Sequence, residues 1–164
     1  MAASRPSDEL VYDRTKSDVE RVKKLAQKWN SGTITSGEVA EWNAGLKGAM
    51  NAADLNRIEA WLQYAEAELR SRGYYCGMTF RSSAWTYTDI LYRSDLDRIR
   101  ANVDTLRNCL YAIPDWRAIE YSNTMSWQQM NATEWDIQMI FTWLEKVMTS
   151  LFYSGEIYSG EVNA

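Results

Sequence analysis

Five apolar residues, Leu55, Ile58, Leu62, Ala65 and Leu69, recur at steps of +3, +4, +3 and +4. An α-helix puts such a set on one face, and a strand does not. The same step is written again by Leu96, Ile99, Val103, Leu106 and Leu110, and once more by Ile137, Ile140, Leu144, Val147 and Leu151. Val19, Val22, Ala26 and Trp29 form a shorter stripe, and Val39, Trp42 and Leu46 point one way over a brief segment. Apolar stripes of this width must be covered by another element. The expected class is therefore all-α: an antiparallel bundle of four main helices plus one short helix.

The helix ends are written as clearly as the stripes. Thr15 with Asp18, Thr35 with Glu38, and Asn51 with Asp54 have the spacing of reciprocal N-terminal caps. Gly32, Gly73 and Pro114 supply stops. SDVERV, ADLNRI and SDLDRI share an Asp-apolar-x-Arg-apolar pattern, with aspartates at 18, 54 and 95 and a looser fourth copy in NATEWDI. Asp suits a first helical turn, and an Arg three residues later can return an ion pair. The echo reads either as helix-start grammar or as an old helix-hairpin duplication.

Between the stripes lie two aperiodic stretches. Residues 74–91, YYCGMTFRSSAWTYTDIL, favour extended chain or a weak hairpin laid on the helices. Residues 115–130 are mixed and loop-like, and the last helix is expected to begin near Asn131. Residues 1–14 are polar, carry Pro6 and read as a flexible arm. The expected layout is an arm at 1–14, a helical domain at 15–152 with its extended insert near 74–91, and a C-terminal arm at 153–164.

Histidine is absent from the 164 residues, which removes the commonest general base and metal ligand. The acids follow helix patterns rather than one motif, so no catalytic residue, cofactor or metal site is expected. Acid-only chemistry would need two carboxylates held at a fixed separation in a cleft. A net charge of −4 with interleaved bases argues against nucleic acid as a partner. No run approaches the roughly 18 apolar residues of a membrane span, and the first residues lack the apolar core of a secretory signal. Cys76 and Cys109 have no metal-ligand spacing and read as reduced, half-buried thiols that pair only by an accident of folding.

The opening Asp13-Arg14-Thr15, the stretch Gly45-Leu46-Lys47-Gly48-Ala49 with Asn51, the run Asp54-Leu55-Asn56-Arg57 with Glu59, and the close Tyr153 to Glu161 run through most of the chain. Together they resemble a module of phage and prophage structural proteins of Gram-positive, gut-type bacteria, associated with tails or baseplates. The resemblance implies a virion protein, made in a bacterial cytoplasm, that forms a homo-oligomer and contacts other virion proteins. It implies no catalytic residues.

The tail YSGEI-YSGEV repeats a phrase rich in Ser-Gly, which disfavours helix by about 1 kcal/mol per glycine. It reads as an assembly arm whose Tyr153, Ile157, Tyr158 and Val162 anchor in a neighbour, or as a fold-back onto the chain's own bundle. A second functional class rests on aromatics in the aperiodic stretches. Trp85, Tyr87, Trp116 and Trp127 could stack on a host-surface glycan, provided two or more rings are open and coplanar.

Overall fold

The computed structural model of the chain describes residues 4–110, 113–120 and 125–156; of the side chains in that range, those at 148 and 150–156 are not described. The elements run α1 (Lys16–Asn30), α2 (Ser36–Asn43), α3 (Ala52–Ser71), α4 (Arg93–Cys109) and α5 (Trp127–Glu156), and no strand occurs among the described residues. The all-α expectation holds, and the helices pack as a bundle centred on three of them: α3, α4 and α5 contact one another pairwise.

The stripes explain why. Leu55, Ile58, Leu62, Ala65 and Leu69 are all buried, as are Leu96, Ile99, Val103 and Leu106, and Ile137, Ile140 and Leu144. They meet in one apolar cluster that also takes in Trp61, Phe141, Trp85 and Ile119. Val147 is exposed, so the α5 stripe leaves the core after Leu144. In α1 the buried residue is Leu25, while Trp29 is 49% exposed, so the expected stripe is displaced by one residue at its centre.

Caps form where their spacing called for them. Thr15 and Asp18, Thr35 and Glu38, and Asn51 and Asp54 each exchange a side-chain bond for a backbone N–H in both directions. α3 ends when Gly73, at φ +86°, donates its N–H to the Arg70 carbonyl and Tyr74 donates to the Leu69 carbonyl. That left-handed turn suits a residue without Cβ. α5 begins at Trp127 rather than near Asn131, because Ser126 and Gln129 make a further reciprocal cap: the Ser126 N–H donates to Gln129 Oε1, and the Gln129 N–H to Ser126 Oγ.

Three expectations change in the folded chain. Of the two forms expected for the insert, extended chain or a weak hairpin, the hairpin does not form, and the non-helical chain is held by side chains instead. The N-terminal stretch is tied down from Arg5 to Arg14 rather than free: Trp61 Nε1 donates to the Asp8 carbonyl at 2.8 Å, Tyr12 packs edge-on against Trp135, and Arg14 is buried. α5 continues through Tyr153–Glu156, so the first YSGE phrase is the end of a helix and not extended chain. Residues 157–164, and with them Ile157, Tyr158 and Val162, lie outside the described residues.

Candidate functional site

A buried polar network joins the stretches Asp13-Arg14-Thr15, Asp54-Leu55-Asn56-Arg57 and Asn131-Ala132-Thr133-Glu134. Arg14 Nη2 donates to Asp54 Oδ1 at 3.0 Å and to Glu134 Oε1 at 2.8 Å. Arg57 closes the square, donating through Nη2 to Asp54 Oδ1 at 2.5 Å and through Nε to Glu134 Oε2 at 2.9 Å. Two guanidiniums face two carboxylates, so the buried charge sums to zero. The Glu134 side chain also accepts the Val11 N–H at 2.7 Å. Arg14 Nε donates to the Lys47 carbonyl at 3.0 Å, and Lys47 Nζ pairs with Asp13 at 2.7 Å. The chain thus fastens its N-terminal strap, the loop after α2, α3 and α5 at one point. Every charge has opposite-charge partners, which a buried ion pair needs to avoid a large desolvation cost. The square reads as a clasp.

Gly48 belongs to the same junction. A Cβ there would overlap the Asp18 carbonyl and the Val19 nitrogen, so the loop lies directly on the first turn of α1. An open cleft of about 600 Å³ runs between the strap and this loop, bordered by Asp13, Lys47, Asn51 and Arg57.

Three asparagines repeat one device. Asn56 on α3 takes the Trp85 N–H at 2.7 Å and gives a bond to the Trp85 carbonyl at 2.9 Å. Asn102 on α4 does the same to Thr79, at 3.1 and 2.8 Å. Asn131 on α5 does it to Arg14, at 3.1 and 2.8 Å. A primary amide carries a donor and an acceptor side by side and so replaces one rung of a ladder. Each core helix holds an irregular segment this way, which satisfies backbone that would otherwise be buried unpaired.

Among the described residues, most of the exposed large apolar side chains stand in or beside the insert so held. Tyr74, Tyr75 at 80% and Tyr87 at 96% exposure, Ile90 and Tyr92 all stand in or beside it. Of the four aromatics expected to meet a glycan, only Tyr87 is open. Trp85 is buried at 4% exposure with the Arg81 guanidinium 4.0 Å from its ring centre. Trp116 is half-buried beneath Arg107, and Trp127 is half-buried as the first residue of α5. Yet Trp85 borders a cavity of about 410 Å³ with Asn56, Glu59, Gln63 and Arg81. Three buried polar atoms on that wall have no hydrogen-bond partner: Glu59 Oε2, Arg81 Nε and Trp85 Nε1. They offer one charged acceptor and two donors, a set that suits hydroxyl groups, which both give and accept.

Asp136 is a separate buried acid on α5. Its Oδ1 accepts the Arg117 N–H at 2.8 Å, while Oδ2 is unpartnered. Burial pushes this carboxyl up to about 7, against the pull of Arg117 and Arg107.

Spacing alone hinted at part of this. The Asp-x-x-Arg echo does yield ion pairs at Asp54–Arg57 and, more loosely at 3.9 Å, at Asp95–Arg98. Arg21 instead turns to Glu41 and Glu38 on α2. The roles of Arg14 and Glu134 were not readable, because their partners lie 40 and 120 residues away. Among the described residues no cluster of metal-ligating side chains occurs, and no helix is long and apolar enough to cross a membrane. No family model, curated protein or solved structure matches the chain.

Proposed function

We propose that the protein is a structural component of a phage virion, an interaction module that works by geometry rather than catalysis. It oligomerises and docks to other tail, neck or baseplate proteins. The observation that carries the reading is the insert: four tyrosines and an isoleucine exposed within residues 74–92, on a segment anchored to the core by Asn56 and Asn102. Tyrosine supplies large contact area at small entropic cost and is enriched among residues that dominate interfaces. A rigidly held aromatic segment is what a docking surface needs. The virion setting comes from the resemblance of Asp13-Arg14-Thr15, the Gly45–Asn51 stretch, Asp54–Arg57 and the tail to phage structural modules. An antiparallel order of the helices, and a contact made by the tail around Tyr153, Ile157, Tyr158 and Val162, belong to the same proposal.

Light scattering behind size-exclusion chromatography tests it on three chains: the full protein, one stopped after Phe152, and one carrying Tyr74→Ser, Tyr75→Ser and Tyr87→Ser. An oligomer that dissociates on the tyrosine substitutions places assembly in the insert. Dissociation on truncation places it in the tail. Three monomers that also fail to bind the other structural proteins of a virion would sink the reading.

The cavity beside Trp85 favours a second reading, a module that binds a neutral saccharide. Titration with a panel of neutral oligosaccharides, followed by tryptophan fluorescence, decides it. Binding that Glu59→Gln weakens supports this alternative, and no response across the panel removes it.

A further inference from the structure

Cys76 and Cys109 stand 33 positions apart in sequence, one at the head of the insert and the other the last residue of α4. Their Sγ atoms lie 2.7 Å apart. Neither lies in a CxxC motif, and the folding of the insert against α4 alone creates the pair. Forming a bond of about 2.05 Å from there asks for a movement of under about 1 Å. The two thiols differ in access: Cys76 is buried, whereas Cys109 is half-buried.

We propose that Cys76 and Cys109 are an oxidation site, closing to an intramolecular disulfide in an oxidising medium and opening again with a thiol reductant. The oxidant is a small disulfide such as glutathione disulfide. Cys109, the more accessible sulfur, loses its proton and attacks one sulfur of the oxidant; the oxidant's S–S bond breaks and one glutathione thiol leaves. The Cys76 thiol then loses its proton and attacks Cys109 Sγ, and the mixed disulfide breaks to release the second glutathione thiol. Two protein thiols are oxidised, one small disulfide is reduced, and two thiols are formed. Burial, with help from Cys109, pushes the Cys76 thiol up to about 12, so Cys76 is the poorer first nucleophile. Once Cys109 is tied up as a neutral mixed disulfide, its share of that elevation is removed.

The bond would tie Cys76, which follows Tyr74 and Tyr75, to the end of α4. On the docking reading above, it fixes the start of the tyrosine segment when the protein meets an oxidising medium. The disulfide itself does not depend on that reading, and the experiment separates the two.

The full chain is incubated with glutathione disulfide and followed by intact mass, thiol counting and peptide mapping. The expected product is a single covalent chain two hydrogens lighter, with both thiols lost, a Cys76–Cys109 cross-linked peptide, a raised Tm and slower amide exchange around residues 74–79. Cys76→Ser is expected to stop at a stable glutathione adduct on Cys109, and Cys109→Ser to leave Cys76 largely unreacted. Covalent dimers, or separate adducts on both cysteines without an internal bond, would overturn the proposal. If the internal bond forms while association in the light-scattering assay is unchanged, the disulfide stands and its link to docking fails.

Discussion

The α1–α2 pair and the α3–α4–α5 core are built from the same helical grammar and held by different forces. The core helices bury the whole α3 stripe, the α4 stripe from Leu96 to Leu106 and the α5 stripe from Ile137 to Leu144 in one apolar cluster. α2 buries no residue and α1 buries Leu25 alone. What joins that pair lies near the surface: the ion pairs Arg21 to Glu41 at 2.5 Å and Lys28 to Glu38 at 2.5 Å, and one ring contact, Trp29 against Trp42 at 6.0 Å between ring centres. Exposed ion pairs contribute at most about 1 kcal/mol each and weaken with salt, whereas a buried Leu or Ile contributes several times that. Two good sets of caps and periods therefore yield one stable unit and one dependent unit.

The dependent unit is attached through the clasp, so the largest effect is expected there. Arg14→Ala leaves Asp54 and Glu134 sharing Arg57 alone and cuts the tie to the loop after α2. A loss of about 3–5 kcal/mol in urea unfolding is expected. A loss under about 1 kcal/mol would show that the two regions are joined elsewhere. Next come the stripes themselves. Leu62→Ala or Ile140→Ala should cost about 2–5 kcal/mol, and Trp29→Ala about 1 kcal/mol or less. Equal costs would erase the distinction between the regions.

Acid should act on the two regions in opposite senses. Lys28 first, then the Thr35 N–H, hold the Glu38 carboxyl down to about 2 against its usual 4.5. The stability it lends α1–α2 is present above pH 4.5 and is lost as the pH falls toward 2. Asp136 is raised from 3.8 to about 7 by burial, so the folded chain holds an extra proton between those values and the core weakens as the pH rises through them. Amide exchange at pH 3 and pH 8 should therefore show α1–α2 opening in acid while the core is better protected there. Asp136→Asn keeps an acceptor for the Arg117 N–H and should flatten the core's pH slope between 4 and 7. An unchanged slope would acquit Asp136. The smallest effect on global unfolding is expected from Thr35→Ala, whose lost cap costs α2 about 1 kcal/mol locally and shows as faster exchange in α2 rather than as a shift in global unfolding.

The helices could be read from this chain because their causes are local. The +3/+4 stripes of α3 and α4, and the pairs Thr15/Asp18, Thr35/Glu38 and Asn51/Asp54, act within one or two turns, so neighbouring residues determine them. The start of α5 was missed because Ser126 and Gln129 sit in a run of mixed character. The helical YSGE at its end was missed because glycine's cost of about 1 kcal/mol is small beside the cooperativity of a 30-residue helix.

The irregular segments obeyed another logic. Residues 5–14 and the 74–91 insert have no period of their own. By composition they read as a flexible arm and as extended chain or a weak hairpin, yet Asn131, Asn102 and Asn56 hold them from distant helices. Apart from the two ends of α5, the sequence by itself determined which stretches are helical, where four of the five helices start, and that the fold is all-α. Only the tertiary structure decided which three helices form the core, that Arg14 meets Glu134, that Cys76 meets Cys109, and that the tyrosines of the insert rather than Trp85 face outward. Those outcomes depend on pairs separated by tens of residues, and a contact of that range leaves no spacing in a single chain from which it can be read.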